Sequence, residues 1–351
     1  MKERLTMPLV GAATGIISLI LVVYGNPVNM GFCVACFLRD TAGAVGLHSA
    51  ASVQYVRPEI MGVVLGAFLI SVIRKEFSPK GGSAPLTRFV LGFALMIGAL
   101  IFLGCPLRMM IRIAGGDLNA VVGLVGSAVG ILGGIFFLNK GYTLKRNYDI
   151  AKTDGLLMPI AALVMLGLLV IVPSVLAFSE AGPGSKHAPI WMSLAAGTIM
   201  GAVGFGTRLC FVAGIRDSVL FRHFSMLSAF IAFIVVILVG NLFLGGFNLG
   251  FENQPVAHTD GLWNFLGMML VGLSSVLLSG CPFRQVVLAG SGNSDAGITF
   301  MGMVAGAAFA HNSDMVSSAD GVTGNGRIGF AVVFAMVIFI ALYNTFAKKT
   351  A

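Results

Sequence analysis

The chain has 351 residues, of which 57% are hydrophobic and only 10% are charged. Because soluble domains carry about 25% charged residues, this composition excludes an ordinary soluble enzyme or binding module and indicates an integral membrane protein. The formal net charge is +8. Two explanations stay open for it: an excess of Lys and Arg in cytoplasmic loops, which orients membrane proteins, and an anionic cargo that basic side chains attract.

Ten long apolar segments follow one another along the chain and predict membrane-spanning helices. They cover residues 8–24, 58–74, 88–103, 119–138, 157–178, 190–206, 224–245, 262–279, 295–311 and 327–346. Shorter segments interrupted by Gly or Pro predict half-helices or re-entrant elements, and they cover residues 31–46, 106–115, 208–222 and 282–292. The first long segment has no clean cleavage site after it, so we interpret it as a retained helix and not as a signal peptide.

The charges in the loops support ten crossings. If Lys2 and Arg4 are cytoplasmic, every even-numbered loop is cytoplasmic as well and should be rich in Lys and Arg. The second and fourth loops are basic, as is the C-terminus, whereas residues 247–260 and 312–325 contain no Lys or Arg. The sequence therefore predicts a multi-pass membrane protein with ten crossings and both termini in the cytoplasm.

Two motifs are repeated at about half the chain length. Residues 104–108 read Gly-Cys-Pro-Leu-Arg, and residues 280–284 read Gly-Cys-Pro-Phe-Arg, 176 positions later. The motif from Cys33 to Asp40 aligns with the one from Cys210 to Asp217 at an offset of 177. The small-residue pairs Gly126/Gly130 and Gly302/Gly306 also match, and this spacing lets membrane helices approach closely.

Each half contains five long segments, and an odd number makes the second half enter the membrane from the opposite side. The predicted fold is therefore all-α and polytopic, with inverted repeats at residues 1–180 and 181–351 around a central pathway. Transporters of this kind bind substrate near the bilayer midplane, between discontinuous helices of the two halves. Cys33 and Cys105 would then reach in from the external side, and Cys210 and Cys281 from the cytoplasmic side.

The four duplicated cysteines are the core of the predicted substrate pathway. A single buried Cys is most simply a small apolar residue, but packing gives no reason to keep Cys at matched positions in both halves. Because a thiol is a weak donor and a soft, polarisable group, it suits an anion whose terminal atom is sulfur or selenium. Gly104, Pro106, Gly280 and Pro282 belong to the same pathway, since half-helices that begin at the prolines present N–H groups to an anion.

Arg108 and Arg284 are the predicted anion-binding cations, because neither has an acidic neighbour in the sequence. Arg39 and Arg216 each precede an aspartate, so two interpretations stay open: they are accessory to the pathway, or they are neutralised by that aspartate. Cys36 is a further accessory candidate. No catalytic residue, metal site or cofactor is predicted, since the five histidines share no metal-ligand spacing.

Asp117 and Asp295 follow the glycine-rich tails of the two Gly-Cys-Pro motifs, and Asn119 and Asn293 lie beside them. These residues lie next to the predicted starts of long helices, where a short polar side chain accepts hydrogen bonds from free backbone N–H groups. We expect them to cap helices and not to couple protons.

These paired motifs resemble those of the YeeE/YedE family of sulfur-transport membrane proteins over nearly the whole chain. The resemblance is closest to the YedE branch, which is described as selenium transporters. It implies an inner-membrane permease of hourglass shape whose short helices point at a central constriction. Family members that take up thiosulfate pass it between cysteines by S–H···S hydrogen bonds, and those cysteines correspond to Cys105, Cys210 and Cys281, with Cys33 as the repeat partner. Cys36 has no counterpart in the second half.

The sequence thus predicts a transporter, and not an enzyme, for a small anion that contains sulfur or selenium, such as thiosulfate or a selenium compound. Its expected partners are this anion, the lipid bilayer and a cytoplasmic protein that accepts the cargo, with no nucleic acid. Two alternatives stay open. One is a membrane thiol–disulfide redox enzyme that uses Cys33 and Cys36 as a dithiol, and the other is a passive pore for small solutes.

Overall fold

The computed structural model describes residues 2–346, with side chains from residue 6 onward. The predicted all-α polytopic fold is confirmed, because the described strands are only β1 (Lys80–Gly81) and β2 (Tyr148–Asp149), which pair antiparallel. The side chains of Lys2 and Arg4, and the C-terminal lysines 348 and 349, lie outside the described residues. The predicted orientation of the termini therefore stays a prediction.

Each predicted long segment corresponds to a long helix, and each predicted short segment contains a short one. In chain order the helices are α1 (Lys2–Val23), α2 (Val34–Ala44), α3 (Pro58–Ile73), α4 (Pro85–Phe102), α5 (Pro106–Ala114), α6 (Leu118–Asn139), α7 (Lys152–Gly155), α8 (Leu157–Ile171), α9 (Ile190–Thr207), α10 (Ala213–Phe221), α11 (Ser225–Leu244), α12 (Gly261–Leu277), α13 (Pro282–Gly290), α14 (Ser294–Asn312) and α15 (Gly324–Phe346). The short helices of the predicted pathway are α2, α5, α10 and α13.

The helices identify a multi-pass membrane protein. Seven stretches among the described residues are long and apolar enough to cross a bilayer: Thr6–Val23, Pro85–Ala114, Leu118–Asn139, Ile190–Thr207, Ser225–Leu244, Gly261–Gly290 and Gly324–Phe346. α3 and α8 are apolar but have only 16 and 15 residues, and α14 is not in this set either. The count of ten crossings therefore stays a prediction.

The Gly-Cys-Pro motif ends one helix and begins the next in both halves. After α4, Leu103 adopts a left-handed conformation with φ 63°, and after α12, Ser279 does so with φ 61°. Pro106 and Pro282 then occupy the first positions of α5 and α13, where a missing backbone N–H breaks no helical hydrogen bond. The motif thus fixes the starts of two nine-residue helices at matched places in the sequence.

The two halves interlock through exchanged helix pairs. α3 packs against α9 while its repeat counterpart α11 packs against α1, and α6 packs against α12 while α14 packs against α4. α4 and α12, which also correspond in the repeat, pack against each other. Glycines allow these approaches: a Cβ at Gly130 would overlap the carbonyl of Met269, and one at Gly302 would overlap that of Phe89.

Candidate functional site

The four duplicated cysteines lie at the N-terminal ends of the four short helices. Cys33, Cys105 and Cys281 are the N-cap residues of α2, α5 and α13. Cys210 lies three residues before α10, and its carbonyl accepts a hydrogen bond from the backbone N–H of Ala213 at 3.0 Å. All four are free thiols that are buried. Their sulfur atoms therefore lie where helices leave backbone N–H groups without helical partners.

The thiols form two pairs. Cys33 and Cys105 interact through their side chains, and so do Cys210 and Cys281. We call these the first and the second thiol pair. The thiol of Cys36 also interacts with that of Cys33, so Cys36 adjoins the first pair. Each pair joins the N-termini of two short helices from the same half of the sequence, α2 with α5 and α10 with α13.

Backbone N–H groups donate to the sulfur atoms in both halves, and of these donors Arg108 and Arg284 occupy matched positions. The donors at the Gly-Cys-Pro cysteines are Ala35 and Arg108 to Cys105, and Phe211 and Arg284 to Cys281. The backbone N–H of Cys36 donates to Cys33 Sγ at 3.3 Å, and that of Cys281 donates to Cys210 Sγ at 3.4 Å. Because helix N-termini carry partial positive charge, each pair lies in a setting that favours an anion.

Arg108 is a buried cation that forms no ion pair with a described acidic residue. Its Nε donates to the Asn29 carbonyl and its Nη2 to the Val256 carbonyl, both at 3.0 Å. Its Nη1 donates to the Leu103 carbonyl and to Cys36 Sγ, the latter at 3.4 Å. These partners solvate the guanidinium without neutralising it, so its charge is available to an anion.

Arg284 occupies the matched position beside the second thiol pair. Its Nη1 donates to the Gly204 carbonyl at 3.2 Å, and it lies close enough to Cys210 and Cys281 to interact with them electrostatically. It also forms no ion pair with a described acidic residue. Unlike Arg108, it is only partly buried.

The glycine of each Gly-Cys-Pro motif leaves room for the arginine four residues later. A Cβ at Gly104 would come within 2.7 Å of the Arg108 side chain, and a Cβ at Gly280 would come within 2.9 Å of the Arg284 side chain. A larger residue at either position would displace the guanidinium from its helix N-terminus. The motif therefore specifies a helix break, a thiol and the space for a cation together.

Arg39 and Arg216, the accessory candidates, are paired with their neighbouring aspartates. Arg39 Nη2 lies 2.7 Å from Asp40, and Arg216 Nε lies 2.8 Å from Asp217. Asp40 also accepts a hydrogen bond from Arg57 Nε at 2.8 Å. Of the two open interpretations for these arginines, neutralisation is therefore the one that the contacts favour.

Sequence reasoning missed Arg57 and a second buried ion pair. Arg112 Nε lies 2.6 Å from Asp117, and its guanidinium stacks on the Phe102 ring at 4.3 Å from the centroid. Asp117 also caps α6, as expected, by accepting from the backbone N–H of Asn119 at 2.9 Å. The sequence did contain a signal for this ion pair. Arg112 lies in a largely apolar short segment, five residues before Asp117.

At the second glycine-rich tail, the expected cap is provided by Asn293 and not by Asp295. The Asn293 side chain caps α14 by accepting from the backbone N–H of Ala296 at 2.9 Å. Asp295 instead accepts from the backbone N–H of Ser83 at 3.1 Å and lies 3.7 Å from Arg88 Nε. It therefore links the start of α14 to the chain before α4.

Three phenylalanines form an apolar cluster beside the two thiol pairs. The Phe283 ring contacts the rings of Phe32 and Phe211 edge to face, with centroid distances of 6.4 and 6.2 Å. Phe32 precedes Cys33 and Phe211 follows Cys210, and all three rings are buried. None of the described cavities is lined by a cysteine. The conformation is thus closed at both thiol pairs.

Within the described part of the chain, no group of three or more His, Cys, Asp or Glu residues could hold a metal ion. The chemistry that these residues offer is therefore that of thiols, guanidinium groups and helix N-termini. Such groups bind and orient an anion by hydrogen bonds and charge.

A family model described as Sulphur transport matches residues 206–348. This match confirms the resemblance to the YeeE/YedE sulfur-transport family. The matched part contains the second thiol pair, Arg284 and the helices from α10 onward. No curated protein matches the chain.

Proposed function

From the match to the sulphur-transport family, we propose that this membrane protein transports a small anion that contains sulfur or selenium across the bacterial inner membrane. The observation that carries the proposal is the presence of two matched thiol pairs, each at the meeting point of two helix N-termini and beside an arginine. The N–H groups and the guanidinium attract negative charge, while the thiols contact a soft terminal atom. Thiosulfate and reduced selenium anions have both properties.

The proposed path leads from the first thiol pair to the second. The exchange of helix partners between the halves supports an inverted repeat, and the loop charges support an external first pair and a cytoplasmic second pair. The phenylalanine cluster around Phe283 has to move for the cargo to pass between the pairs. A cytoplasmic protein that accepts the cargo remains part of the proposal.

Two observations favour transport over the thiol–disulfide enzyme. Cys33 and Cys36 are at most 2% exposed, whereas a dithiol that exchanges with partner proteins needs an accessible sulfur. Cys33 also pairs with Cys105, and Cys36 contacts Arg108, so each thiol already has a partner in the anion-binding arrangement. A passive pore gives no reason for an arginine beside buried thiols at matched positions in both halves.

The test is uptake of radiolabelled thiosulfate into proteoliposomes, with unlabelled thiosulfate, selenite, selenide, sulfate and sulfite as competitors. We expect thiosulfate or a selenium anion to compete at least tenfold better than sulfate. Replacing both Gly-Cys-Pro cysteines, by Cys105→Ala with Cys281→Ala, should reduce uptake at least tenfold.

The matched control is Ser127→Ala, a buried hydroxyl on α6. It should retain at least half of the wild-type uptake. Unchanged uptake in the double cysteine variant would refute the role of the thiols. Equal competition by all five anions would refute the proposed substrate class.

A further inference from the structure

Glu59 is a buried carboxylate without an ion-pair partner among the described residues. It lies in the first turn of α3 and is 0% exposed. Its Oε1 accepts a hydrogen bond from Asn26 Nδ2 at 2.9 Å, while its Oε2 has no hydrogen-bond partner. A buried polar atom without a partner is rare enough in folded proteins to require an explanation.

Two further oxygen atoms without partners are buried in the same region. They are the hydroxyls of Tyr55, in the loop before α3, and of Ser193, on α9. Tyr55 is close enough to Glu59 to interact with it electrostatically. Ser193 lies one helical turn before Gly197, which contacts the backbone of Glu59. A carboxylate with neighbouring hydroxyl oxygens is a ligand set for a proton or a hard cation, and not for an anion.

No charged group around α3 forms an ion pair with Glu59 among the described residues, and His187, like Tyr55, is a titratable group that lies close enough to interact with it electrostatically. The titratable groups on the elements packed against α3 are Arg39 and Asp40 of α2, Arg284 of α13, Lys186 and His187 of the loop before α9, and Tyr55 and Arg57 in the chain before α3. α8 and α9 have no titratable side chain. Arg57 donates to Asp40 and to the carbonyls of Pro183 and Lys186, so its donors face away from Glu59.

Asn26 connects Glu59 to the first thiol pair. Its Nδ2 donates to the Glu59 carboxylate and also to the carbonyl of Gly31 at 3.1 Å, two residues before the cysteine that caps α2. The same loop presents the Asn29 carbonyl to Arg108 Nε. A change in the charge of Glu59 therefore acts, through Asn26, on the loop that positions the first thiol pair and its arginine.

We propose that Glu59 binds the cation, a proton or Na⁺, that drives entry of the anion. This inference rests on the proposed transport function. An anion that enters a cell with a negative interior is opposed by the membrane potential, and a cation that is carried with it offsets that charge. Cation binding at Glu59 weakens the charge-assisted hydrogen bond from Asn26, which frees the loop beside Arg108 to rearrange.

The experiment measures thiosulfate uptake by the full chain in proteoliposomes under three conditions: an inward proton gradient, an inward Na⁺ gradient and no gradient. The readout is the ratio of gradient-driven to gradient-free uptake. We expect one gradient to give a ratio of at least five in the wild type, and which gradient does so identifies the cation. Glu59→Gln should lower this ratio to about one, while Glu59→Asp should retain part of it.

The matched control is Glu180→Gln, an exposed glutamate, which should keep the wild-type ratio. A second measurement needs no variant: dicyclohexylcarbodiimide, which modifies protonated carboxyls in apolar surroundings, should label Glu59 in the wild type. If the driving cation is Na⁺, labelling should decrease in its presence. If it is a proton, labelling should increase as the pH falls and decrease at alkaline pH.

Two results would overturn the inference: a wild-type ratio of one under both gradients, or a Glu59→Gln ratio equal to that of the wild type. Labelling that avoids Glu59 would also contradict it. These results leave the proposed function intact if the double cysteine variant still loses uptake. If that variant transports normally, the proposed function itself fails.

Discussion

Arg108 differs from the other buried arginines of the first half in the partners that hold it. Arg39, Arg57 and Arg112 each lie against an aspartate, whereas Arg108 donates to carbonyl oxygens and to one thiol. An ion pair offsets part of the cost of burying a charge, and neutral acceptors offset less of it. The residual positive charge beside the first thiol pair is therefore the feature that an entering anion would use.

Arg108→Lys tests this reading at the scale of one residue. A lysine keeps the charge but lacks the planar guanidinium, whose N–H groups reach four acceptors. We therefore expect the KM for thiosulfate uptake to rise at least tenfold. A tenfold rise corresponds to about 1.4 kcal/mol. Arg146→Lys, in an exposed loop, is the control and should leave KM within twofold. An unchanged KM in Arg108→Lys would show that the guanidinium does not contact the cargo.

Two buried histidines outside the membrane-spanning helices predict how stability depends on pH. Burial lowers the pKa of His48 and of His258 from the ordinary value of 6.5. His48 Nδ1 accepts a hydrogen bond from the backbone N–H of Ala50, and Asn264 Nδ2 lies at hydrogen-bond distance from His258 Nδ1. Protonation of either Nδ1 would turn this acceptor into a donor that opposes its neighbouring N–H. The folded chain thus binds fewer protons than the unfolded chain just below pH 6.5.

These two histidines should therefore cause no change in the free energy of unfolding above about pH 6.5. Below that pH they should lower it as the pH decreases. Thermal unfolding of the purified protein in detergent between pH 8 and pH 5 measures this. His258→Gln should flatten the profile, whereas His223→Gln, at an exposed position, should not change it. A midpoint temperature that rises on acidification would contradict the burial of neutral imidazoles.

At the scale of helices, the four short elements follow from local sequence, and their pairing does not. Glycine and proline interrupt an apolar segment wherever they occur, so the breaks before α5 and α13 could be predicted to within a residue. The contact between Cys33 and Cys105 could not, because it depends on how α2 and α5 pack across 72 residues of chain. The sequence grouped Cys33 with Cys105 and Cys210 with Cys281 by side of the membrane, but it did not predict contact between the thiols of either group.

The close packing of α6 on α12 gives a prediction about helix contacts. At Gly130 an added Cβ would overlap the backbone of Met269, so Gly130→Ala should destabilise the protein by about 1–3 kcal/mol. Gly167 of α8 has no atom within 4 Å of such a Cβ, so Gly167→Ala should be neutral or stabilising by up to about 1 kcal/mol. Thermal unfolding of both variants measures the difference, and equal midpoints would mean that the two helices are not closely packed.

At the scale of the whole molecule, the sequence predicted an all-α polytopic membrane protein because hydropathy and helix length determine that class directly. It did not reveal Arg57, Glu59 or Arg112 as buried polar residues. Arg57 and Glu59 lie at the N-terminal end of the apolar segment 58–74, and a charged residue at such an end ordinarily lies at the membrane surface. Only the fold, which covers the start of α3 with α9 and the loop before it, buries them.

The central claim of the proposed function is that the cargo contacts both thiol pairs, which are buried in this conformation. In the proposed function the two thiol pairs, which lie beside one phenylalanine cluster, act in series, so the cargo would use both pairs on every passage. Thiosulfate uptake by Cys105→Ser and by Cys281→Ser, each as a single variant, measures this, with Ser127→Ala on α6 as the control away from the thiols. The account predicts a loss of at least tenfold in each single variant and a smaller loss in the control. Wild-type uptake in either single variant would show that the cargo bypasses that pair and would contradict the account.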